Sequence, residues 1–99
     1  MKKKQKMSKD TIQEQFDRYL SLLEQIHTLG HEIDAAIDEV EINELMLKRK
    51  RSQTKMRTVV KNLVTSLSEM GTKYPIHNYL ANQTTYIFAL DNKLMLEYH

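Results

Sequence analysis

The sequence predicts an all-α fold, an antiparallel helical hairpin or small helical bundle with a C-terminal helix, and three observations lead to it. Apolar residues recur at alternating spacings of three and four along most of the chain, which is the pattern of amphipathic helices. Leu, Glu, Lys, Gln and Met, all good helix formers, are abundant. The 99 residues include only two glycines and one proline, so few positions force the chain to turn.

The first predicted helix spans about residues 9–48 and follows a basic N-terminus, residues 1–8, that we expect to be disordered. Ser8 is a candidate N-cap. Gly30 is a candidate break, but the apolar spacing continues beyond it. Only Gly30 and Glu44 interrupt the spacing, which comprises Ile12, Phe16, Tyr19, Leu23, Ile26, Ile33, Ile37, Val40 and Leu47. Three further apolar residues widen this stripe beyond a two-stranded seam, namely Leu22, Leu29 and Ala36. The first helix is therefore expected to face a bundle core.

The second predicted helix covers about residues 53–70. The stretch at 48–55 contains no apolar residue, so we place a break between the two helices near residues 51–53, with Ser52 as a possible cap. The stretch also lacks Gly and Pro, which leaves one long continuous helix as an alternative. Gly71 is expected to end the second helix.

The last predicted helix spans about residues 75–97, with Pro75 in its first turn. Its apolar residues fit one helical face: Ile76, Leu80, Ile87, Leu90, Leu94 and Tyr98. Thr84 to Phe88 is rich in β-formers, and Asp91-Asn92 is typical of a turn, so a β-hairpin over residues 84–99 is the alternative. Residues 9–99 are expected to form a single helical domain.

Charge is strongly segregated along the chain. Residues 10–44 contain ten acids and one base, whereas residues 45–68 contain seven bases and no acid. Helical projection places many of these charges beside the apolar stripes. This arrangement predicts an antiparallel helical pair in which opposite charges flank the apolar contact, within one chain or between two.

The predicted function is that of a small helical protein–protein interaction or adaptor protein. The stripe on the first helix is broader than one short helix can cover, so we expect assembly into a homo-oligomer or an obligate complex. The expected partner is a second copy, giving a homodimer, or another helical protein. The predicted interface consists of Leu22, Leu23, Ile26, Leu29, Ile33 and Ile37.

Two alternative functions remain open. The basic segment 48–61 is typical of a nucleic-acid-binding regulator, with possible phosphate contacts from Lys48, Arg49, Lys50, Arg51, Lys55, Arg57 and Lys61. No zinc finger or RNP sequence accompanies it, and the tyrosines lie elsewhere. A helical secretion partner or immunity-like protein is the second alternative, on size and helicity alone, and the chain lacks the tryptophan of the small secreted helical hairpins.

The sequence predicts no enzyme, no metal site and no cofactor. The chain has no cysteine, and neither a G-x-S-x-G turn nor a glycine-rich phosphate loop is present. His27 and His31 share one helix face with Glu24, but Ala35 stands where an HExxH zinc motif would need its second histidine. We therefore interpret these histidines as part of a solvated polar face.

A cytoplasmic location is expected. The lysine-rich start is followed by polar residues rather than by the apolar segment of a signal peptide. The longest apolar run, Tyr86 to Leu90, is far shorter than the roughly 20 residues that span a bilayer.

Overall fold

The computed structural model describes residues 9–98, with the side chains of residues 12–98, and it has an α+β fold. Two helices are followed by three strands: α1 is Lys9–Ala35, α2 is Glu39–Met70, β1 is Tyr74–Asn78, β2 is Gln83–Leu90 and β3 is Lys93–Tyr98. The predicted all-α class, and with it the helical bundle, is wrong because the C-terminal segment forms a sheet. The predicted disordered N-terminus, residues 1–8, lies outside the described residues.

α1 and α2 form an antiparallel hairpin with a short connection at residues 36–38. Asp38 caps α2, because its carboxylate accepts a hydrogen bond from the Val40 N–H at 3.4 Å. The break therefore falls at 36–38 instead of near residues 51–53. α2 continues through the basic stretch at 48–55, in agreement with the long-helix alternative. Ser52 is not a cap but a buried residue of α2, and its hydroxyl donates to Gln25 Oε1 at 3.4 Å.

The end of α2 is formed as the sequence predicts. Gly71 adopts the left-handed conformation with φ of 68°, and its N–H donates to the Leu67 carbonyl at 3.0 Å. Pro75, by contrast, does not begin a helix. It lies in β1, an edge strand, where a missing N–H costs no ladder hydrogen bond.

The three strands form an antiparallel meander in the order β1-β2-β3. Ile76 pairs with Thr85, and Ile87 pairs with Leu96. Asp91 and Asn92 connect β2 to β3 with φ of 52° and 61°, the backbone of a type I′ turn. The helix predicted over residues 75–97 is therefore absent, and β2 and β3 form the hairpin that was the alternative.

The sheet packs on one side of the helical hairpin, near the N-terminal end of α1 and the C-terminal end of α2. Inward-facing strand residues alternate with outward-facing ones, as in any half-buried sheet. The buried cluster consists of Ile12, Phe16, Leu20, Leu22, Val59, Leu63, Leu67, Ile76 and Ile87. None of its members comes from residues 23–55. That half of the hairpin extends beyond the core, consistent with a radius of gyration of 16.1 Å, where a compact domain of this length has about 13 Å.

Neither α1 nor α2, within the part of the chain that the structure describes, is long and apolar enough to cross a membrane.

Candidate functional site

The half of the helical hairpin next to its connection, residues 23–53, is here called the distal hairpin. It has only two layers, α1 against α2, because the sheet covers the other half of the hairpin. Leu45 is buried between the helices, whereas Ile33 and Ile42 are only half-buried. Two amphipathic helices bury the stripe where they meet but leave its edges open to water. The distal hairpin therefore has an incompletely covered apolar seam.

Apolar side chains of the distal hairpin are exposed on the side from which the sheet approaches the helices. Leu23 and Ile26 line a shallow groove with Leu80, from the β1–β2 connection. Met46 is 46% exposed. It lies on the same side of α2 as Val60, which is next to the β2–β3 turn of the sheet. We define the distal face as six residues on this side, Leu23, Ile26, Gly30, Ile33, Ile42 and Met46.

Most residues of the predicted interface lie in the distal hairpin, but they do not share one face. Leu22 belongs to the buried cluster. Leu29 lines a different groove, between α1 and α2 on the side away from the sheet. Ile37, in the connection between the helices, is 94% exposed. The distal face retains three of the six predicted residues, Leu23, Ile26 and Ile33.

Ile42 and Met46 are absent from the predicted interface because the predicted helix break lies after both residues. With a break at 36–38, both side chains lie on α2 and face the same side as Leu23 and Ile26. The missed signal was Asp38 followed three residues later by Glu41, the spacing of a capping box.

Acidic and basic residues occupy neighbouring parts of the distal hairpin. The acidic end, around the connection, contains Glu32, Asp34, Asp38, Glu39, Glu41 and Glu44, with no base between residues 32 and 44. The basic band, residues 48–61 of α2, follows it. Among side chains 12–98, no ion pair joins α1 to α2, and the ion pair between Lys73 and Glu97 lies at the sheet. The predicted opposite-charge pairs across the helix contact therefore do not form within one chain between the side chains that the structure describes.

The basic band is divided between two sides of α2. Lys48, Arg51 and Lys55 line a groove between α1 and α2 that no strand residue borders. Arg57 and Lys61 lie on the other side, near the β2–β3 turn. The remaining two bases differ in exposure, since Lys50 is exposed and Arg49 is half-buried. The seven predicted phosphate-contacting residues thus do not form a single patch.

His27 and His31 lie one helical turn apart on α1. Their Nε2 atoms are 3.1 Å apart, and the two rings are perpendicular with centroids separated by 4.6 Å.

Glu24, on the same face, accepts a hydrogen bond from the Tyr79 hydroxyl at 3.5 Å. Desolvation raises the pKa of Tyr79, and the carboxylates of Glu24 and Asp17 raise it further. Within the described residues, no group of three or more metal-ligating side chains is assembled.

The outward face of the sheet is a second surface with aromatic side chains, but it is partly covered. Lys73 places its ammonium group 5.5 Å from the centre of the Phe88 ring, within the range of a cation–π contact. The same ammonium group pairs with Glu97, the neighbour of Tyr86 across the β2–β3 ladder. This face is therefore less open to an apolar partner than the distal face.

No protein-family model, no curated protein and no solved structure matches this chain.

Proposed function

We propose that this protein is a protein–protein interaction module that self-associates into a homodimer through its distal face. The observation that carries the proposal is the projection of the distal hairpin beyond the core, with apolar side chains on one side. Met46 is 46% and Leu23 is 39% exposed, and Ile33 is only half-buried. Contiguous apolar surface of this kind is typical of interaction sites in small proteins.

Charge favours a second copy of the chain as the occupant of this face. The acidic end and the basic band follow one another along the same hairpin, and from Glu41 to Lys55 the helix rises by about 21 Å. When two hairpins lie antiparallel about a twofold axis, the acidic end of each lies beside the basic band of the other. Such an interface is isologous, so a single surface satisfies both chains.

The resulting dimer has a four-helix bundle formed by the two distal hairpins, with the sheets at opposite ends. Antiparallel bundles of this kind bury a continuous apolar core between facing helices. Burying a whole large apolar side chain contributes about 1.5–3 kcal/mol, whereas an exposed ion pair contributes about 0–1 kcal/mol. The apolar contact therefore sets the affinity, and the charges set the orientation of the two copies.

Measurement of the mass in solution by light scattering tests this proposal. The chain has a mass of 11.7 kDa, and we expect twice that mass at micromolar concentrations and above. Met46→Asp should give a monomer, because it places a charge in the centre of the distal face. Met70→Asp is the matched control, since Met70 is 36% exposed at the opposite end of the same helix. A monomeric wild-type protein, or equal masses for the two variants, would contradict the proposal.

Gly30→Gln provides a second test that leaves the fold of one chain undisturbed. A Cβ atom at Gly30 meets no atom within 4 Å in the chain itself. Replacing a glycine inside a helix also favours the helix. A bulky side chain at this point of the distal face should nevertheless keep two copies apart. We expect Gly30→Gln to give a folded protein with a weaker dimer. Ile33→Asp is a less specific test, because it would weaken the contact between α1 and α2 as well as the dimer.

Nucleic-acid binding is a second candidate, favoured by the groove between α1 and α2 away from the sheet. Lys48, Arg51 and Lys55 line it together with hydroxyl and amide side chains, the groups that contact phosphates. A gel shift at low and high salt tests this function, because phosphate contacts weaken steeply with salt. Lys55→Gln should reduce binding more than Lys50→Gln, whose side chain points away from the groove. Absence of a shift at low salt would contradict it.

A further inference from the structure

We infer that His27 and His31 form a two-imidazole chelate for one borderline divalent transition-metal ion, of the class Cu²⁺, Ni²⁺ or Zn²⁺. Both side chains are exposed, and both extend from the same side of α1. Their Nε2 atoms approach to 3.1 Å, closer than the helix alone requires of residues four apart. The contact brings two good metal donors together at a position open to solvent.

The separation of the two nitrogens matches the bite of a chelate. An ion about 2.05 Å from each Nε2 atom, the usual metal–imidazole distance, would have an N–metal–N angle of about 98° at the observed 3.1 Å separation. This angle lies between the 90° of neighbouring octahedral or square-planar positions and the tetrahedral angle of about 109°. Both rings must rotate about their side-chain bonds to direct the two lone pairs at one ion, because in a direct hydrogen bond the donor N–H points at the other nitrogen.

Proton placement changes when the ion binds. A hydrogen bond between the two Nε2 atoms requires one ring to carry its proton on Nε2 and the other on Nδ1, so two neutral rings joined in this way are different tautomers. For chelation, both Nε2 atoms must offer lone pairs, and both neutral rings must then carry their proton on Nδ1. The donor ring loses its Nε2 proton to water and gains one at Nδ1, so no net proton is released from two neutral imidazoles.

The surroundings decide which ions this chelate accepts. Glu24 is engaged by the Tyr79 hydroxyl, and no set of three ligating side chains occurs among the described side chains, residues 12–98. Water or donors from another molecule therefore complete the coordination, and binding is reversible. Imidazole nitrogen favours Cu²⁺, Ni²⁺ and Zn²⁺ over Mg²⁺ and Ca²⁺, which prefer oxygen ligands.

A bound ion would stabilise the end of α1. Gly30 lies between the two histidines, and a glycine inside a helix weakens it because the unfolded chain has more freedom to lose. An ion that joins His27 to His31 holds the turn around Gly30 in helical geometry. Binding to the folded chain also raises its unfolding temperature by mass action.

Isothermal titration with NiCl₂ and ZnCl₂, with MgCl₂ as the control salt, tests the chelate. We expect one Ni²⁺ or Zn²⁺ per chain, no binding of Mg²⁺, and a higher unfolding temperature in Ni²⁺. His27→Asn and His31→Asn should each weaken binding by about tenfold or more and abolish the thermal shift. His77→Asn and His99→Asn are matched controls, because they remove the other two histidines of the chain.

Three outcomes would overturn the chelate: no binding to the wild-type protein, an unchanged affinity in either His27→Asn or His31→Asn, or an equal loss in the His77 or His99 control. The same titration in the Met46→Asp background separates this site from self-association. One ion per monomer there supports a chelate within a single chain. Loss of metal binding together with the dimer would contradict it.

Discussion

The side-chain amide of Gln13 in α1 binds both backbone groups of His77 in the edge strand β1. Gln13 Oε1 accepts a hydrogen bond from the His77 N–H at 2.8 Å, and Gln13 Nε2 donates to the His77 carbonyl at 3.0 Å. The amide thereby replaces the strand that would otherwise pair with this edge. It fixes the sheet to α1 and satisfies backbone groups that are a liability on an open edge.

Loss of this contact should loosen β1. We expect Gln13→Ala to lower the free energy of unfolding by about 1 kcal/mol, because the two hydrogen bonds are partly solvent-exposed. The His77 amide should also exchange its hydrogen faster. Asn43→Ala is the control, since Asn43 is exposed on α2 and a surface substitution there should change stability by less than about 0.5 kcal/mol. Unchanged exchange at His77 would show that the edge is held by other contacts.

Asn78 organises the connection between β1 and β2. Its Oδ1 atom accepts hydrogen bonds from the N–H groups of Leu80 and Ala81, both at 3.2 Å, and its Nδ2 atom donates to the Thr85 hydroxyl at 3.3 Å. Asn78 and Thr85 are both buried. We expect Asn78→Ala to cost about 2 kcal/mol, because it leaves buried polar groups without partners. Urea unfolding measures this loss of stability. As a control, Asn62→Ala at an exposed position of α2 should leave the stability nearly unchanged.

The sequence predicts the helical part of the fold better than its C-terminal part. The apolar spacing predicted the contact between the first and middle helices, and Gly71 ends α2 as expected. The spacing concealed the break at 36–38, because Ile33, Ile37 and Val40 continue the pattern across a connection with neither Gly nor Pro. The break is marked instead by Asp38, which begins α2 through its own side chain, and such a cap is a weaker signal in the sequence than a glycine.

The C-terminal segment was mispredicted because two periodicities coincide in it. Residues 76, 80, 87, 90 and 94 fit a helical face, whereas the structure uses the alternation of Thr85, Ile87 and Ala89. β-formers and the Asp91-Asn92 turn decide between the two patterns. The distal face could be predicted only in part, since Ile42 and Met46 join it only after the helices are folded back at the right residue. The approach of the two histidine Nε2 atoms depends on side-chain rotamers and has no signature in the sequence.

The two glycines should respond to alanine with opposite signs. Neither Cβ atom would meet a neighbour within 4 Å, so only backbone conformation matters. Gly30 is inside α1, and Gly30→Ala should stabilise the protein by about 0.5–1 kcal/mol. Gly71 has a φ of 68°, and Gly71→Ala should destabilise it by about 1 kcal/mol. Thermal unfolding of the two variants in the Met46→Asp monomer measures both stability changes without a contribution from dimerisation. Stability changes of the same sign would contradict this explanation from backbone conformation.

Tyr19 should make the stability of the protein fall in strongly alkaline solution. Desolvation of this half-buried phenol raises its pKa, and the charge of Tyr98 raises that pKa further. Its ordinary pKa of about 10 applies to the unfolded chain, so the folded protein holds the proton more tightly. The resulting stability is fully present below about pH 10 and is lost as the pH rises through the higher pKa of the folded state.

Urea unfolding at about pH 8 and about pH 11 measures this effect, since the two values lie on either side of the ordinary tyrosine pKa. Tyr19→Phe should reduce the loss of stability between them, because phenylalanine has no proton to release and keeps the ring that packs against Phe16 at a centroid distance of 5.7 Å. Tyr98→Phe should reduce this loss of stability less, since that substitution removes only the weaker cause of the raised Tyr19 pKa. An alkaline loss in Tyr19→Phe as large as in the wild-type protein would assign the sensitivity to another group.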